Sequence, residues 1–232
     1  MNLNKSIKIT TELIKELRES TGISVMQCKN ALEEAEGNME KALAILKKTS
    51  SDIALKKAGR DAKDGRVCIK TDGLPAGKAG KKSVLVTLHC ETDFVSKNED
   101  FVNLISNLTE KVFKDGVEKM KVEAKDLIDS VIQKTGEKIE LGEIYEVKGN
   151  VLGNYVHNNK IGVIVSLEGG NEELAKDIAM HITAMKPEYL FRDEITEDVK
   201  KTMNEIFQKE IADMNKPEDI KKKMLEGKIN TY

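Results

Sequence analysis

Tryptophan is absent from this 232-residue chain, and rings of any kind are few, with five Phe and four Tyr. That leaves little with which to build an aromatic platform for single-stranded nucleic acid. Cysteine is equally sparse. Cys28, Cys68 and Cys90 are odd in number and show no CxxC spacing, so neither a disulfide framework nor a zinc site is expected, and a reducing compartment fits. No apolar run approaches a bilayer span. The opening MNLNKSIKITTELIKEL lacks the basic-then-apolar layout of a signal peptide. The expected location is the cytoplasm, with an organelle matrix as the alternative. An excess of one charge is missing too. The 38 basic and 40 acidic side chains leave a net charge of −2, which gives no general attraction to nucleic acid. Lys-rich stretches such as KKAGRDAKDGR carry acids beside them and read as solvated surface.

What is present is charge of both signs, 34 % of residues, with 39 % hydrophobic ones. This suits a helix-rich chain with a heavily solvated surface, long enough for one large domain or two to three small ones. TTELIKELREST places Leu13, Ile14 and Leu17 on one helical face and ends at Gly22. Ser24 and Gln27 have capping-box spacing at the start of a second helix. Gly37 is placed as its C-cap, and Asn38 can cap a third helix, MEKALAILKK. Leu32, Met39, Leu43 and Leu46 are expected to point into this bundle. SSDIALKKAGRDAKDG follows as a fourth helix and then a loop.

The periodicity then changes. RVCIKT and SVLVTLH alternate like strands and predict a hairpin closed by DGLPAGKAGKK. Phe101, Leu104, Ile105, Leu108 and Val112 recur at helical spacing, and another helix, in EAKDLIDSVIQKTG, stops at Gly136. A second β stretch, EIYEVKG, VLGNYVH and IGVIVSL, leads into a helix bearing Leu174, Ile178, Ile182 and Met185. VLVTL (84–88) and VIVSL (163–167) each precede an amphipathic helix, which suggests a duplicated strand–turn–helix unit. The copies differ by an excursion, ETDFVSKN, in which Phe94 is a lone ring among polar residues. The tail is predicted as a helical hairpin, with Thr196 as N-cap, a stripe of Val199, Met203, Ile206, Phe207, Ile211 and Met214, and a break at Pro217. The expected divisions are 1–51 (helical), 52–62 (linker helix), 63–136 (first core repeat), 137–191 (second core repeat) and 192–232 (hairpin).

Few constellations carry chemistry. Gly73 and Gly77 enclose one residue too few for a phosphate loop, Ala79 follows Lys78 where Ser or Thr is needed, and the segment joins strand to strand. His89, Cys90, Glu91 and Asp93 invite a metal or nucleophile reading, but His89 and Cys90 are adjacent in a strand and point to opposite faces, so a shared ligand shell is not expected. His157 and His181 have no HExxH or triad context. Two other function classes are open to these residues: a ribosome- or RNA-associated binding module using Lys78, Lys81 and Lys82, and a small-molecule enzyme around His89 and Cys90. Phe94 has two readings. It folds back onto Val95 or Phe101, or it is an anchor for a partner, a role worth ~2 kcal/mol or more when the ring fills a pocket.

Four blocks carry a family resemblance. LRESTGISVMQCKNAL (17–32), ETDFVSKNEDF (91–101), GNVLGNYVHNNKIGVIVSL (149–167) and AMHITAMKPEYL (179–190) resemble, in order, the elongation factor Ts family. The resemblance covers nearly the whole chain. It implies an α+β fold with a three-helix, UBA-like N-terminal domain, a duplicated α/β core with antiparallel sheets, and a C-terminal helical hairpin. It also implies a guanine-nucleotide exchange factor for elongation factor Tu, bound in its GDP and nucleotide-free forms. Such a protein does no covalent chemistry and needs no cofactor, metal, nucleotide, nucleic acid or membrane of its own. In that reading Thr92, Asp93 and Phe94 form the exchange loop, with Asp93 and Phe94 pushing beside the partner's Mg²⁺ site. Arg18, Val25 and Met26 contact the same GTPase domain, and His157 faces another domain of the partner. Val25 and Gln27 stand where the family often has Met and Asp, so a weaker contact is expected at Val25. The sequence stops at LEGKINTY, where longer members continue with a further core segment and a C-terminal helix; the family's shortest members compensate by forming a homodimer.

Overall fold

The computed structural model describes residues 9–72 and 81–232. The glycine- and lysine-rich stretch predicted as a hairpin loop, with Gly73, Gly77, Lys78 and Ala79, lies outside the described residues. The chain divides into one unit up to Ala184 and a second from Met185 to Tyr232.

The first unit begins with α1 (Thr11–Thr21), α2 (Val25–Glu34) and α3 (Met39–Lys57). Gly22 and Gly136, each read from sequence as a helix stop, adopt left-handed φ of 70° and 74° and return their N–H to the last turn, a conformation that costs little only without a Cβ. Asn38 caps α3 by accepting from Lys41 N at 3.0 Å. Ser24 caps α2 by accepting from Gln27 N at 3.4 Å, but the Gln27 amide oxygen takes the Ser24 hydroxyl and not its backbone N–H, so the box is half made. Leu17, Ile23, Cys28, Leu32, Ala42 and Leu46 form the bundle core. Leu43, expected inside, is 42 % exposed. The inward line of α3 runs through Ala42 and Leu46, four residues apart, and Leu43 stands a hundred degrees off it. Of the predicted linker helix at 52–62, residues 52–57 are the last turns of α3 and residues 58–62 lie beyond its end. Nothing between Met39 and Lys57 is a glycine or proline, so nothing stops the helix, and its end packs Ile53 and Ala54 on a second, larger core.

That core lies under a three-stranded antiparallel sheet of β1 (Asp64–Thr71), β2 (Lys81–Cys90) and β3 (Ile139–Gly149), in the order β1-β2-β3. The predicted hairpin is the β1–β2 pair, from Asp64 opposite Cys90 to Thr71 opposite Ser83. Val84, Val86, Leu88 and Cys90 alternate inward from β2 against α5 (Glu99–Asp115) and α6 (Val117–Thr135). Every residue of the predicted α5 stripe is buried there, from Phe101 to Val112. β3 runs beside β2, with Cys90 opposite Ile139. The sheet therefore crosses the division placed at 136/137, because the change of periodicity marks where α6 ends and says nothing about which strand the next one pairs with.

β4 (Val151–His157) and β5 (Ile161–Leu167) form a separate hairpin. Asn158 and Asn159 turn it with φ of 50° and 58°, and Lys160 N bonds His157 O at 2.9 Å, a type I′ turn that asparagine tolerates. α7 (Glu172–Met185) packs on this hairpin through Ala175 and Ala179. Contact is so close at Gly153 that a Cβ there would stand 2.3 Å from the Ala175 carbonyl carbon.

In the second unit Thr196 caps α8 (Glu197–Ala212), and Pro217 precedes α9 (Glu218–Thr231). Lys228 pairs with Glu210 at 2.6 Å, Lys221 bonds Ala212 O at 3.1 Å, and Phe207 meets Tyr232 edge-on with ring centroids 6.1 Å apart. These pairings run in opposite directions along the two helices, which is the predicted antiparallel hairpin. Among the described residues no helix is long and apolar enough to cross a membrane.

Candidate functional site

The excursion after β2 is a short helix, α4 (Asp93–Lys97), where the sequence suggested only a polar turn. Thr92 has the extended backbone of an N-cap and its hydroxyl accepts from Val95 N at 3.5 Å, with Asp93 in the first turn complementing the helix dipole. At one hundred degrees per residue, Val95 and Ser96 share the inward side, and both are buried. Asp93, Phe94 and Lys97 are left facing out. Phe94 is 83 % exposed, so its ring does not fold back onto Val95 or Phe101, which are themselves buried in the core. Asp93 pairs with Lys97 at 2.7 Å, and that bond raises the Lys97 pKa.

Both ends of α4 are tied down. At its N-terminal end the Glu137 carboxylate accepts three hydrogen bonds, from Glu91 N (3.1 Å), Thr92 N (3.0 Å) and the Thr92 hydroxyl (2.6 Å). Glu91 in turn accepts from Lys138 N at 2.6 Å and from Arg60 Nη1 at 3.2 Å. The Lys138 bond pulls the Glu91 carboxyl below its usual range, partial burial opposes this, and Arg60 adds to the fall. At the other end Arg66 Nη1 donates to Ser96 O at 3.3 Å. Lys160, from the β4–β5 turn, donates to Ser96 Oγ at 3.3 Å, Gly65 O at 2.7 Å and Asp64 Oδ1 at 2.5 Å. Burial pushes the Asp64 carboxyl up, but bonds from Lys160, Ser96 and Gly65 outweigh it and leave the carboxyl lowered.

His157 ends β4, exposed, with Nδ1 3.1 Å from the Tyr155 hydroxyl and Nε2 3.1 Å from Asn158 Nδ2. The His157 turn and α4 are neighbours through Lys160, and Asn159 O also accepts from Val67 N at 2.9 Å. Arg18, Val25 and Met26 are exposed at one end of the bundle, joined by the loop through Gly22. Lys134 passes beside Gly22 and donates to Asp100 Oδ1 at 2.7 Å, close to where α4 gives way to α5. Thr92 differs from Asp93 and Phe94: its hydroxyl turns inward, donating to Glu137 and accepting from Val95 N.

Cys90, Lys81 and Lys82, from the two alternative function classes, are engaged within the fold. Cys90 is buried and donates to Thr92 O at 3.2 Å; burial pushes its thiol up to about 12, so it is not a nucleophile near neutral pH. Lys81 is only 2 % exposed and is bound to Glu172, while Lys82 donates to Phe113 O and lies over the Phe113 ring. Neither is free to meet a phosphate backbone. No cluster of potential metal ligands occurs among the described residues. Glu137, Arg66 and Lys160 carry no signal in the sequence, since their partners are distant and follow no period.

Residues 91–232 match the family model described as elongation factor TS. Elongation factor Ts of Hahella chejuensis is 39 % identical over 233 residues, covering 97 % of this chain and 78 % of the relative. The chain belongs to the elongation factor Ts family. Elongation factor Ts of Pseudomonas syringae pv. tomato is 38 % identical over 230 residues with the same coverage, and that of Cellvibrio japonicus 38 % over 229 residues. Family membership makes this a translation elongation factor, active in protein biosynthesis. The matched segment takes in α4, Glu137 and the His157 turn.

Proposed function

We propose that the chain is a guanine-nucleotide exchange factor for elongation factor Tu, the GTPase that carries aminoacyl-tRNA to the ribosome. The observation that carries this reading is a large apolar ring held outward on a helix whose inward residues are buried and whose two ends are bonded to the body. A ring so placed is a wedge in search of a pocket. Phe94 inserts between helices of the GTPase domain with Asp93 beside it, and the displaced elements stop holding Mg²⁺. The metal neutralises phosphate charge, so its loss weakens nucleotide binding. His157 engages another domain of the partner, while Arg18, Val25 and Met26 brace the GTPase domain from the bundle. No acid, base or nucleophile takes part, and the chain acts by protein–protein binding alone.

Linkage constrains the scheme. If this chain weakens GDP binding by some factor, GDP weakens its binding to the partner by the same factor. It speeds release without choosing the incoming nucleotide, and direction comes from cellular GTP excess and capture of the GTP form. Two measurements test the proposal. Stopped-flow release of a fluorescent GDP from elongation factor Tu accelerates when the chain is added, and capture of the partner on the immobilised chain declines as GDP is raised. An unaccelerated release, or capture indifferent to GDP, overturns it.

A further inference from the structure

We infer that Glu137 is a positioning residue that sets the pose of Phe94, an inference that rests on the exchange reading above. α4 has five residues, too few to sustain a helix alone. Phe94, being 83 % exposed, has little packing of its own to fix its direction. The pose must come from the helix ends, and at the N-terminal end the chemistry converges on one hydroxyl. Thr92 Oγ1 has a single proton. To turn a lone pair toward Val95 N and cap the helix, it must send that proton elsewhere, and Glu137 Oε1 receives it at 2.6 Å. Oε2 of the same carboxylate accepts Glu91 N and Thr92 N. Glu91 returns the arrangement by accepting Lys138 N. The last backbone pair of the β2–β3 ladder is Cys90 with Ile139. Beyond it, two carboxylates stand where carbonyls would, each taking N–H groups of the other strand. The sheet thereby grips the first turn of α4 by side chains after backbone pairing has stopped.

Only a carboxylate satisfies this geometry. Glutamine has one acceptor oxygen, and its Nε2 is a donor. With Nε2 toward Thr92, it donates where the carboxylate accepts and leaves the hydroxyl proton unplaced. With Nε2 toward the backbone, it faces two N–H donors. Either way the cap loosens and the ring's direction is lost while its apolar surface remains. The expected signature is a fall in maximal rate with little change in half-saturating concentration, because the contacts made in the first encounter are kept.

The test uses the full chain, elongation factor Tu and a fluorescent GDP, with wild type and Phe94→Ala alongside. Glu137→Gln lowers the maximal release rate about tenfold, the scale of one charge-assisted hydrogen bond. Thr92→Val, which keeps shape and loses the hydroxyl, lowers it similarly, and Thr92→Ser restores most of what Thr92→Val loses. The double variant Glu137→Gln/Thr92→Val is no slower than the slower single one, because both act through the same hydroxyl. Thermal unfolding reports whether each variant is folded. If Glu137→Gln does not fold, the Thr92 pair decides alone: a slow Thr92→Val rescued by Thr92→Ser supports the inference, and Thr92→Val at the wild-type rate overturns it. A folded Glu137→Gln at the wild-type rate, or losses that multiply in the double variant, also overturns it. Should Phe94→Ala slow release while Glu137→Gln does not, positioning fails and the exchange reading stands. If wild type itself gives no acceleration, both fail.

Discussion

Truncating Phe94 to alanine separates function from folding, because the ring is solvent-facing. A phenylalanine side chain offers about 200 Å² for burial, and with 83 % of the residue exposed, roughly 165 Å² remains for a partner. At about 25 cal/mol per Å² that surface carries about 4 kcal/mol. If all of it were realised only in the state from which GDP departs, truncation would slow release about a thousandfold. Anchor truncations of about 2 kcal/mol set a lower expectation of about thirtyfold. The folded chain should scarcely notice, because a solvent-facing ring contributes within about 0.5 kcal/mol, which for a body of this size moves the thermal midpoint by only ~1–2 °C. The assay is stopped-flow release at saturating concentrations of wild type and Phe94→Ala, with circular-dichroism melts of both. Equal maximal rates would refute the wedge. A drop in midpoint as large as a core substitution produces would refute the placement of the ring.

The other predictions concern the body that carries the ring. Glu91 has its pKa lowered by the Lys138 N–H, with partial burial opposing and Arg60 assisting, Lys57 adding its charge nearby. Its contribution to stability is therefore present above the unfolded value of about 4.5 and lost as pH falls through the lower folded value. The gap in thermal midpoint between wild type and Glu91→Gln should be constant near neutrality and close as pH drops below that window; a gap that widens on acidification would contradict the bond. Gly153→Ala puts a methyl group against the backbone of α7, 2.3 Å from the Ala175 carbonyl carbon. Overpacking of this kind costs about 1–3 kcal/mol, read as a lower urea midpoint; an unchanged midpoint would mean that the hairpin and α7 are not so closely seated.

Local chemistry was legible wherever a residue acts on its own neighbours. Gly22, Gly136, Asn38 and Thr196 mark helix ends because a left-handed turn or a side-chain cap is decided within four residues. The α5 stripe was legible for the same reason, each apolar position falling on one helical face. Family blocks supplied the candidate site, which spacing alone could not. What escaped is non-local. β3 looked like the opening of the second repeat, because periodicity identifies a strand but not its partner, and β2 claims it. Leu43 read as core because it is large, yet the small Ala42 occupies the buried line. Glu137 follows a helix stop and gives no sign of bonding a hydroxyl 45 positions earlier. The helix at Asp93–Lys97 does leave a mark, since Thr92 followed by an acid is an N-terminal signal, but with only five residues it shows no periodicity.

α3 begins among the residues of the small bundle and ends against the core beneath the sheet, nineteen residues with no break. A partner that grips the bundle thus holds the near end of a rod whose far end is set in the body bearing Phe94. Because one unbroken helix belongs to both clusters, opening either loosens the rod they share, so hydrogen exchange along it should show protection declining in one cooperative step and not in two independent ones.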